Sequence, residues 1–275
     1  MSGFSADWLR QREPFDAAAR TVSAERLQLA RWLAALKPEA QPWQVIDLGC
    51  GTGANFRALA PMLAGAQQWR VVDHDTALLD TWSETPGEAT IERVLLDLAR
   101  DLETLSFEGT TLVTASALLD LVSAAWLQRL VALCRDAGAS VLFALSVDGR
   151  ALWDPLDPLD ALASELFDAH QRRDKGFGPA LGPMAAASAI EGFRAAGYAV
   201  QSAPSDWWID ARRDPAALGL QRTLIDGIAQ AAIEQDPHAM SALRAWQTRR
   251  HALAAHSTLR IGHLDVIATP GRIKT

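Results

Sequence analysis

Residues 45–55 have the sequence VIDLGCGTGAN, which is the strongest structural signal in the chain. An apolar run ends at Leu48, glycines follow at positions 49, 51 and 53, and a helix is predicted to begin near Asn55. Glycine adopts backbone angles that a side chain forbids, and it lets a ligand approach the main chain closely. Free N–H groups at the start of the helix then suit the polar part of a nucleotide-like cofactor. The stretch therefore predicts a strand, a ligand-binding loop and a helix.

On the carboxyl side of this loop, short apolar runs alternate with amphipathic segments. Strands that are apolar on both faces and joined by helical crossovers are typical of a parallel sheet covered on both sides. We therefore expect an α/β fold. The predicted strands are residues 44–48, 69–73, 91–96, 111–115, 141–146, 199–203 and 256–268, and the main helices between the first five are 55–63, 76–83 and 124–137.

The predicted domain organisation surrounds this core with helical segments. Residues 1–40 form an N-terminal helical cap, with Pro14 at a helix start, and residues 41–150 form the cofactor-binding core. A lid insertion follows at 151–183. Residues 184–275 complete the core and carry a helical insertion at about 206–256, because that stretch is long for a simple connection between strands.

Composition limits the classes of partner. The formal net charge of the 275-residue chain is −7, and neither of its densest basic stretches is long, so we do not expect a nucleic acid partner. Two cysteines and the absence of a long apolar run predict a cytoplasmic protein without a membrane partner.

Two sequence features leave the identity of the cofactor open. Gly49, Gly51 and Ala54 also fit the dinucleotide pattern, which keeps an NAD(P)-dependent oxidoreductase as an alternative. Asp73 ends the next strand 20 residues after Gly53, where a carboxylate accepts hydrogen bonds from ribose hydroxyls in either kind of site. A protein that binds its cofactor without catalysis is the third alternative.

The sequence DLGCGTG at 47–53 resembles motif I of class I, Rossmann-like, S-adenosylmethionine-dependent methyltransferases. The resemblance implies a doubly wound, mostly parallel sheet of seven strands whose last strand, near 260–268, runs antiparallel between the fifth and sixth. It implies S-adenosyl-L-methionine as cofactor, with Asp47 organising the loop, His74 flanking the adenine and Ser116 facing the sulfonium. The expected cofactor-binding residues are Arg20, Asp47, Gly49, Cys50, Gly51, Gly53, Asn55, Asp73, His74, Asp97, Leu98 and Ser116. For Asp97, capping of a helix is the competing interpretation.

The implied reaction is an in-line displacement that moves a methyl group to a small-molecule acceptor. Positioning supplies much of the rate of such a step, so the sequence gives few catalytic candidates. Asp120 and His170 are the candidate catalytic residues, with helix capping as the alternative for Asp120. Candidate substrate-binding residues are Arg172 and Arg173, which suit a carboxylate or phosphate, and Trp153 and Trp207, which suit a flat ring; no metal site is expected.

Overall fold

The computed structural model describes residues 5–39, 41–82 and 89–271. Within these ranges eight strands form one sheet. They are β1 (Trp43–Leu48), β2 (Gln67–Asp73), β3 (Ala89–Leu95), β4 (Leu112–Ser116), β5 (Ser140–Asp154), β6 (Tyr198–Pro204), β7 (Trp207–Asp210) and β8 (Thr258–Pro270).

The strand order is β3-β2-β1-β4-β5-β8-β6, with β7 paired to the first part of β8. Strands β1 to β5 are parallel, and β8 is antiparallel to both β5 and β6. The prediction of a mostly parallel sheet with an antiparallel last strand between the fifth and sixth is confirmed. The predicted count of seven is wrong by one in the described part of the chain. The missed strand, β7, has four residues inside a segment that was assigned to a helical insertion.

The principal helices lie between and around these strands. They are α1 (Ala6–Arg26), α2 (Leu29–Leu36), α3 (Ala54–Leu59), α4 (Thr76–Leu79), α5 (Leu98–Asp101), α6 (Ala124–Ala137), α7 (Asp160–Gln171), α8 (Ala185–Ala195), α9 (Pro215–Gln235) and α10 (Met240–Leu253). None in the described ranges is both long and apolar enough to cross a membrane.

Two hydrophobic cores cover opposite faces of the sheet, as alternation along the strands requires. In β5, Leu142 and Ala144 belong to one core, and Val141 and Phe143 belong to the other. The first core contains side chains of α1, α2, α3, α9 and α10. The second contains those of α6 and α8. Apolar side chains on both faces explain why the central strands stand out in the sequence.

Helix α1 begins at Ala6, eight residues before the predicted start at Pro14, which lies inside the helix. Ser5 caps it, since its hydroxyl accepts a hydrogen bond from the N–H of Trp8 at 3.2 Å. Buried residues such as Phe15 and Ala19 hold the helix on the sheet. Packing of this face therefore outweighs the hydrogen bond that Pro14 removes.

The carboxyl half of β5 and the amino half of β8 continue beyond the core as a two-stranded arm, with β7 along β8. The pairing of β5 with β8 shifts register between residues 143 and 146 and again between residues 147 and 151, where the arm begins. Helix α10 packs on this arm, since Trp153 of β5 lies edge to face with Trp246 of α10. Helices α7 and α9 also pack against each other. The arm thus places a helical layer beside the carboxyl edge of the parallel strands.

Candidate functional site

The glycine-rich loop joins β1 to α3 and depends on left-handed backbone angles. Gly49, Gly51 and Gly53 have φ angles of +64°, +52° and +85°. A side chain is strained in this region, so glycine is the residue that the loop needs. The N–H of Cys50 donates to the carbonyl oxygen of Val72 at 3.0 Å, which ties the loop to β2.

The glycines also make room. A Cβ atom on Gly51 would lie 3.2 Å from Leu9 Cδ1, and one on Gly49 would lie 3.2 Å from Leu118 Cδ1. A Cβ atom on Gly53 would lie 2.9 Å from the ring of Trp82. Leu9 and Leu118 both line a cavity beside the loop, so side chains at positions 49 and 51 would narrow that cavity.

Asp73, at the carboxyl end of β2, holds the loop in place. Its Oδ2 accepts a hydrogen bond from the N–H of Gly51 at 2.8 Å, and its Oδ1 accepts one from the N–H of Asp75 at 3.0 Å. The residue is 6% exposed and lines the cavity. Each carboxylate oxygen has a further lone pair, so the group can still accept hydrogen bonds from a ligand.

This cavity, called the main cavity because the predicted cofactor-binding residues line it, has a volume of about 460 Å³ and lies over the carboxyl ends of β1, β2 and β4. A second cavity, of about 740 Å³, lies among α1, α2 and α3. The main cavity has the size and place expected of a ligand site in a parallel α/β sheet. Nine of the predicted cofactor-binding residues line it: Gly49, Cys50, Gly51, Asn55, Asp73, His74, Asp97, Leu98 and Ser116.

Two of these positions show how the strand ends shape the cavity. Asp97 caps α5, because its Oδ1 accepts a hydrogen bond from the N–H of Ala99 at 3.0 Å. The interpretation of Asp97 as a helix cap is therefore confirmed, and the same residue also lines the cavity. Ala117, directly after Ser116, has a φ angle of +52° and lines the cavity, and non-glycine residues in this conformation cluster at functional sites.

Three predicted cofactor-binding residues, Arg20, Asp47 and Gly53, lie outside the lining of this cavity. Asn55 joins two of them, since its amide nitrogen donates to Asp47 at 2.6 Å and its amide oxygen accepts from Arg20 at 2.8 Å. Burial is the main cause that raises the pKa of Asp47 to about 7, and hydrogen bonding by Asn55 opposes it. Asp47 and Arg20 thus fix the side chain of Asn55, which follows the loop at the start of α3.

Helix α1 supplies a wall of the cavity that the sequence analysis did not identify, consisting of Leu9, Arg12 and Asp16. Arg12 donates to both carboxylate oxygens of Asp16, at 2.9 and 3.3 Å. The indole N–H of Trp207 in β7 donates to the same carboxylate at 2.9 Å, and the Arg12 guanidinium lies 5.2 Å from the centre of a Trp207 ring. Trp207 is buried and holds Asp16 rather than lining the cavity itself.

Asp120, the other candidate catalytic residue, does not line the cavity. It is buried, and its Oδ1 has no hydrogen-bond partner among the described residues. Burial raises the pKa of Asp120 to about 6, and the positive charge of Arg12 opposes the rise. It does not cap α6, whose N-cap is Ser123.

The remaining predicted site residues lie away from the cavity lining. His170 Nε2 is 3.2 Å from Glu234 Oε2, and Arg173 donates to the carbonyl oxygen of Glu234 at 2.9 Å, so both residues contact α9. Trp153 is buried under the guanidinium of Arg250. Arg172 follows α7 as its C-cap. The segment that the sequence analysis predicts to be a lid reaches the cavity instead through Asp174, Lys175 and Phe177.

No protein-family model matches the sequence, and no curated protein matches it. Among solved structures, a Bacillus halodurans protein described as a candidate methyltransferase shares 11% identity, with 88% of this chain and 98% of that chain covered, at a TM-score of 0.50. The chain has the class I methyltransferase fold.

Two further solved structures are similar to the chain at lower TM-scores. A phosphoethanolamine N-methyltransferase from Haemonchus contortus, solved with phosphomonomethylethanolamine and S-adenosylhomocysteine, shares 15% identity at a TM-score of 0.48. The alignment covers 98% of this chain and 59% of that longer one. A cyclopropane synthase from Mycobacterium tuberculosis shares 12% identity at a TM-score of 0.44, with 88% and 84% covered.

Proposed function

We propose that the chain is an S-adenosylmethionine-dependent methyltransferase that acts on a small molecule. The observation that carries the proposal is the carboxylate of Asp73, which is fixed against the Gly51 N–H and faces the main cavity. A class I methyltransferase fold with an acid at this strand end fits an adenosine-containing cofactor.

The residues present fit this cofactor. The positive φ angles at Gly49 and Gly51 leave a space that Cβ atoms would narrow. Asp73 would hold the ribose, Asp97 and Leu98 would contact the adenine, and the loop would hold the amino-acid end. When bound, the cofactor supplies a methyl group on a positively charged sulfur.

The chain's own contribution would be to bind, orient and exclude water. Leu9, Leu118, Leu121 and Phe177 give the cavity apolar walls. Phe177 is held by Trp126, whose ring lies edge to face with it at 5.5 Å between centroids. Two reactants held in line within such walls gain rate from proximity, a contribution that reaches roughly 7–11 kcal/mol in well-oriented reactions.

A small acceptor agrees with the charge and the enclosure of the site. The net charge of −7 does not favour phosphate backbones, and α1 and the lid segment both contribute to the cavity wall. A cytoplasmic location stays a prediction from the sequence.

The test is calorimetric titration of the purified protein with S-adenosylhomocysteine, NADH and NADPH. We expect S-adenosylhomocysteine alone to bind, and Asp73→Ala to weaken that binding at least about tenfold, because hydrogen bonds to a charged carboxylate are lost. The matched control is Asp214→Ala, which removes an exposed carboxylate that caps α9 outside the cavity. Binding of NADH or NADPH instead would support an oxidoreductase. Binding without turnover on any acceptor would support a non-catalytic protein.

A further inference from the structure

One part of the main cavity is left to an acceptor once the cofactor has been placed. The cofactor would occupy the glycine loop with the start of α3, and the ends of β2, β3 and β4 as far as Ala117. The remaining lining residues come from α1, from residues 118–121 and from the lid segment, residues 151–183. Four are apolar and four are charged: Leu9, Leu118, Leu121 and Phe177, and Arg12, Asp16, Asp174 and Lys175.

The two charges on the α1 wall already compensate each other. Arg12 donates to both carboxylate oxygens of Asp16, and the two side chains are only 12% and 9% exposed. The carboxylate of Asp120, which does not line the cavity, also lies within electrostatic reach of Arg12. Arg12 therefore has no positive charge to spare for an anionic acceptor, and Asp16 has no negative charge to spare for a cationic one.

The two charges on the lid segment also have partners in the protein. Lys175 Nζ lies 3.5 Å from His170 Nδ1, and His170 Nε2 lies 3.2 Å from Glu234 Oε2, so the ammonium contacts a chain that ends on a carboxylate of α9. Asp174 is exposed, and its Oδ1 accepts hydrogen bonds from two backbone N–H groups of its own turn, at 2.6 and 3.0 Å. The formal charges of this part of the lining sum to zero.

The apolar side chains form a wall that is fixed on the protein. The N–H of Leu181 donates to the carbonyl oxygen of Val122 at 2.8 Å, which joins the lid segment to the loop after β4. Phe177 packs edge to face on Trp126 with 5.5 Å between ring centroids. A charged group that leaves water for such a wall without a counter-charge loses several kcal/mol of solvation free energy. An apolar group gains free energy there by burial.

We infer that the methyl acceptor is an uncharged molecule with an apolar body. The body packs against Leu118, Leu121 and Phe177, and the molecule is polar only at the end that takes the methyl group. The inference rests on the proposed function, because it assigns the substrate class of the same cavity. Arg172 and Arg173, which the sequence suggested for a carboxylate or phosphate, do not line the cavity and agree with this assignment.

The experiment uses three probes with the same ring and different charge: benzyl alcohol, benzylamine and benzoate. Each is titrated by ligand-observed NMR into the full-length protein saturated with S-adenosylhomocysteine. We expect benzyl alcohol to bind at least about tenfold more tightly than either charged probe. Leu121→Ala should weaken benzyl alcohol about three- to tenfold, because apolar contact area is lost. The matched control is Leu156→Ala, which truncates a leucine that is 79% exposed outside the cavity.

A second pair of variants reverses the preference instead of weakening it. Leu121→Lys should make benzoate the tightest probe, because it adds an uncompensated cation to the wall, and Leu156→Lys should leave the order unchanged. Circular dichroism checks that each variant is folded.

Three results would overturn the inference. They are tighter binding of a charged probe to the unmodified protein, absence of benzyl alcohol binding at millimolar concentration, and equal affinities for benzyl alcohol in Leu121→Ala and Leu156→Ala. Failure of S-adenosylhomocysteine to bind the unmodified protein would instead overturn the proposed function, so the two failures are distinguishable.

Discussion

The substitution Gly53→Ala tests how the glycine loop is held. Gly53 has a φ angle of +85°, and a Cβ atom there would lie 2.9 Å from two atoms of the Trp82 ring. The ring cannot move away easily, because its N–H donates to the carbonyl oxygen of Gly51 at 2.9 Å and its face packs against Phe56. Alanine therefore meets both a backbone penalty and a steric one.

The two penalties have separate magnitudes. The left-handed conformation costs a non-glycine residue roughly 1–2 kcal/mol. Forcing an extra methyl group into a packed site costs typically about 1–3 kcal/mol more. The free energy of unfolding should therefore fall by about 2–5 kcal/mol, and displacement of Trp82 should move the Gly51 carbonyl at the edge of the cavity.

Gly197→Ala separates the two terms. Gly197 has a φ angle of +88°, and a Cβ atom there would have no neighbour within 4 Å among the described residues. Urea unfolding followed by circular dichroism should give a loss of only about 1–2 kcal/mol for this variant. Affinity for S-adenosylhomocysteine should fall only in Gly53→Ala. Equal losses of stability in the two variants would refute the steric part of the reasoning.

Two other predictions concern buried charges. Burial raises the pKa of Asp120 from its ordinary 3.8 to about 6 in the folded protein. Between these two pH values the folded protein binds more protons than the unfolded chain, so its stability falls as pH rises from about 4 to about 6. The change in the free energy of unfolding caused by Asp120→Asn should therefore be more stabilising at pH 7.5 than at pH 4, by up to about 3 kcal/mol. Urea titrations that give the same change at both pH values would contradict this prediction. Arg250→Met should cost about 3–5 kcal/mol, because it leaves Asp160 as an unpaired buried charge. Arg10 and Asp7 form an ion pair that is exposed on both sides, so Arg10→Met should cost less than about 1 kcal/mol, and similar losses in the two variants would contradict the distinction.

The core of the fold was predictable because burial leaves a direct record in the sequence. Strands covered on both faces are continuous apolar runs, and α6 was predicted with its observed bounds, Ala124–Ala137. The end of β5 left no such record. Residues 147–154 include polar side chains and Gly149 at a φ angle of +83°, so the strand continues through a bulge that looks like a loop.

The cofactor side of the cavity was predictable for a local reason. Its glycines and acids lie at the ends of successive strands, and the parallel topology brings those ends together. The α1 wall was not predictable in this way. Arg12 and Asp16 are four residues apart and look like an ordinary surface ion pair, and Trp207, which fixes Asp16, lies 191 residues along the chain. Only the tertiary structure places this pair in the wall of the cavity.

The pairing of β8 has a consequence for synthesis of the protein. This one strand completes the edge of β5, joins β6 to the sheet and supports β7, yet the ribosome makes it after all three. Until it emerges, those strands expose unpaired backbone groups, a state that favours aggregation. The nascent chain should therefore depend on chaperones late in translation, and ordering of the arm should coincide with closure of the core sheet.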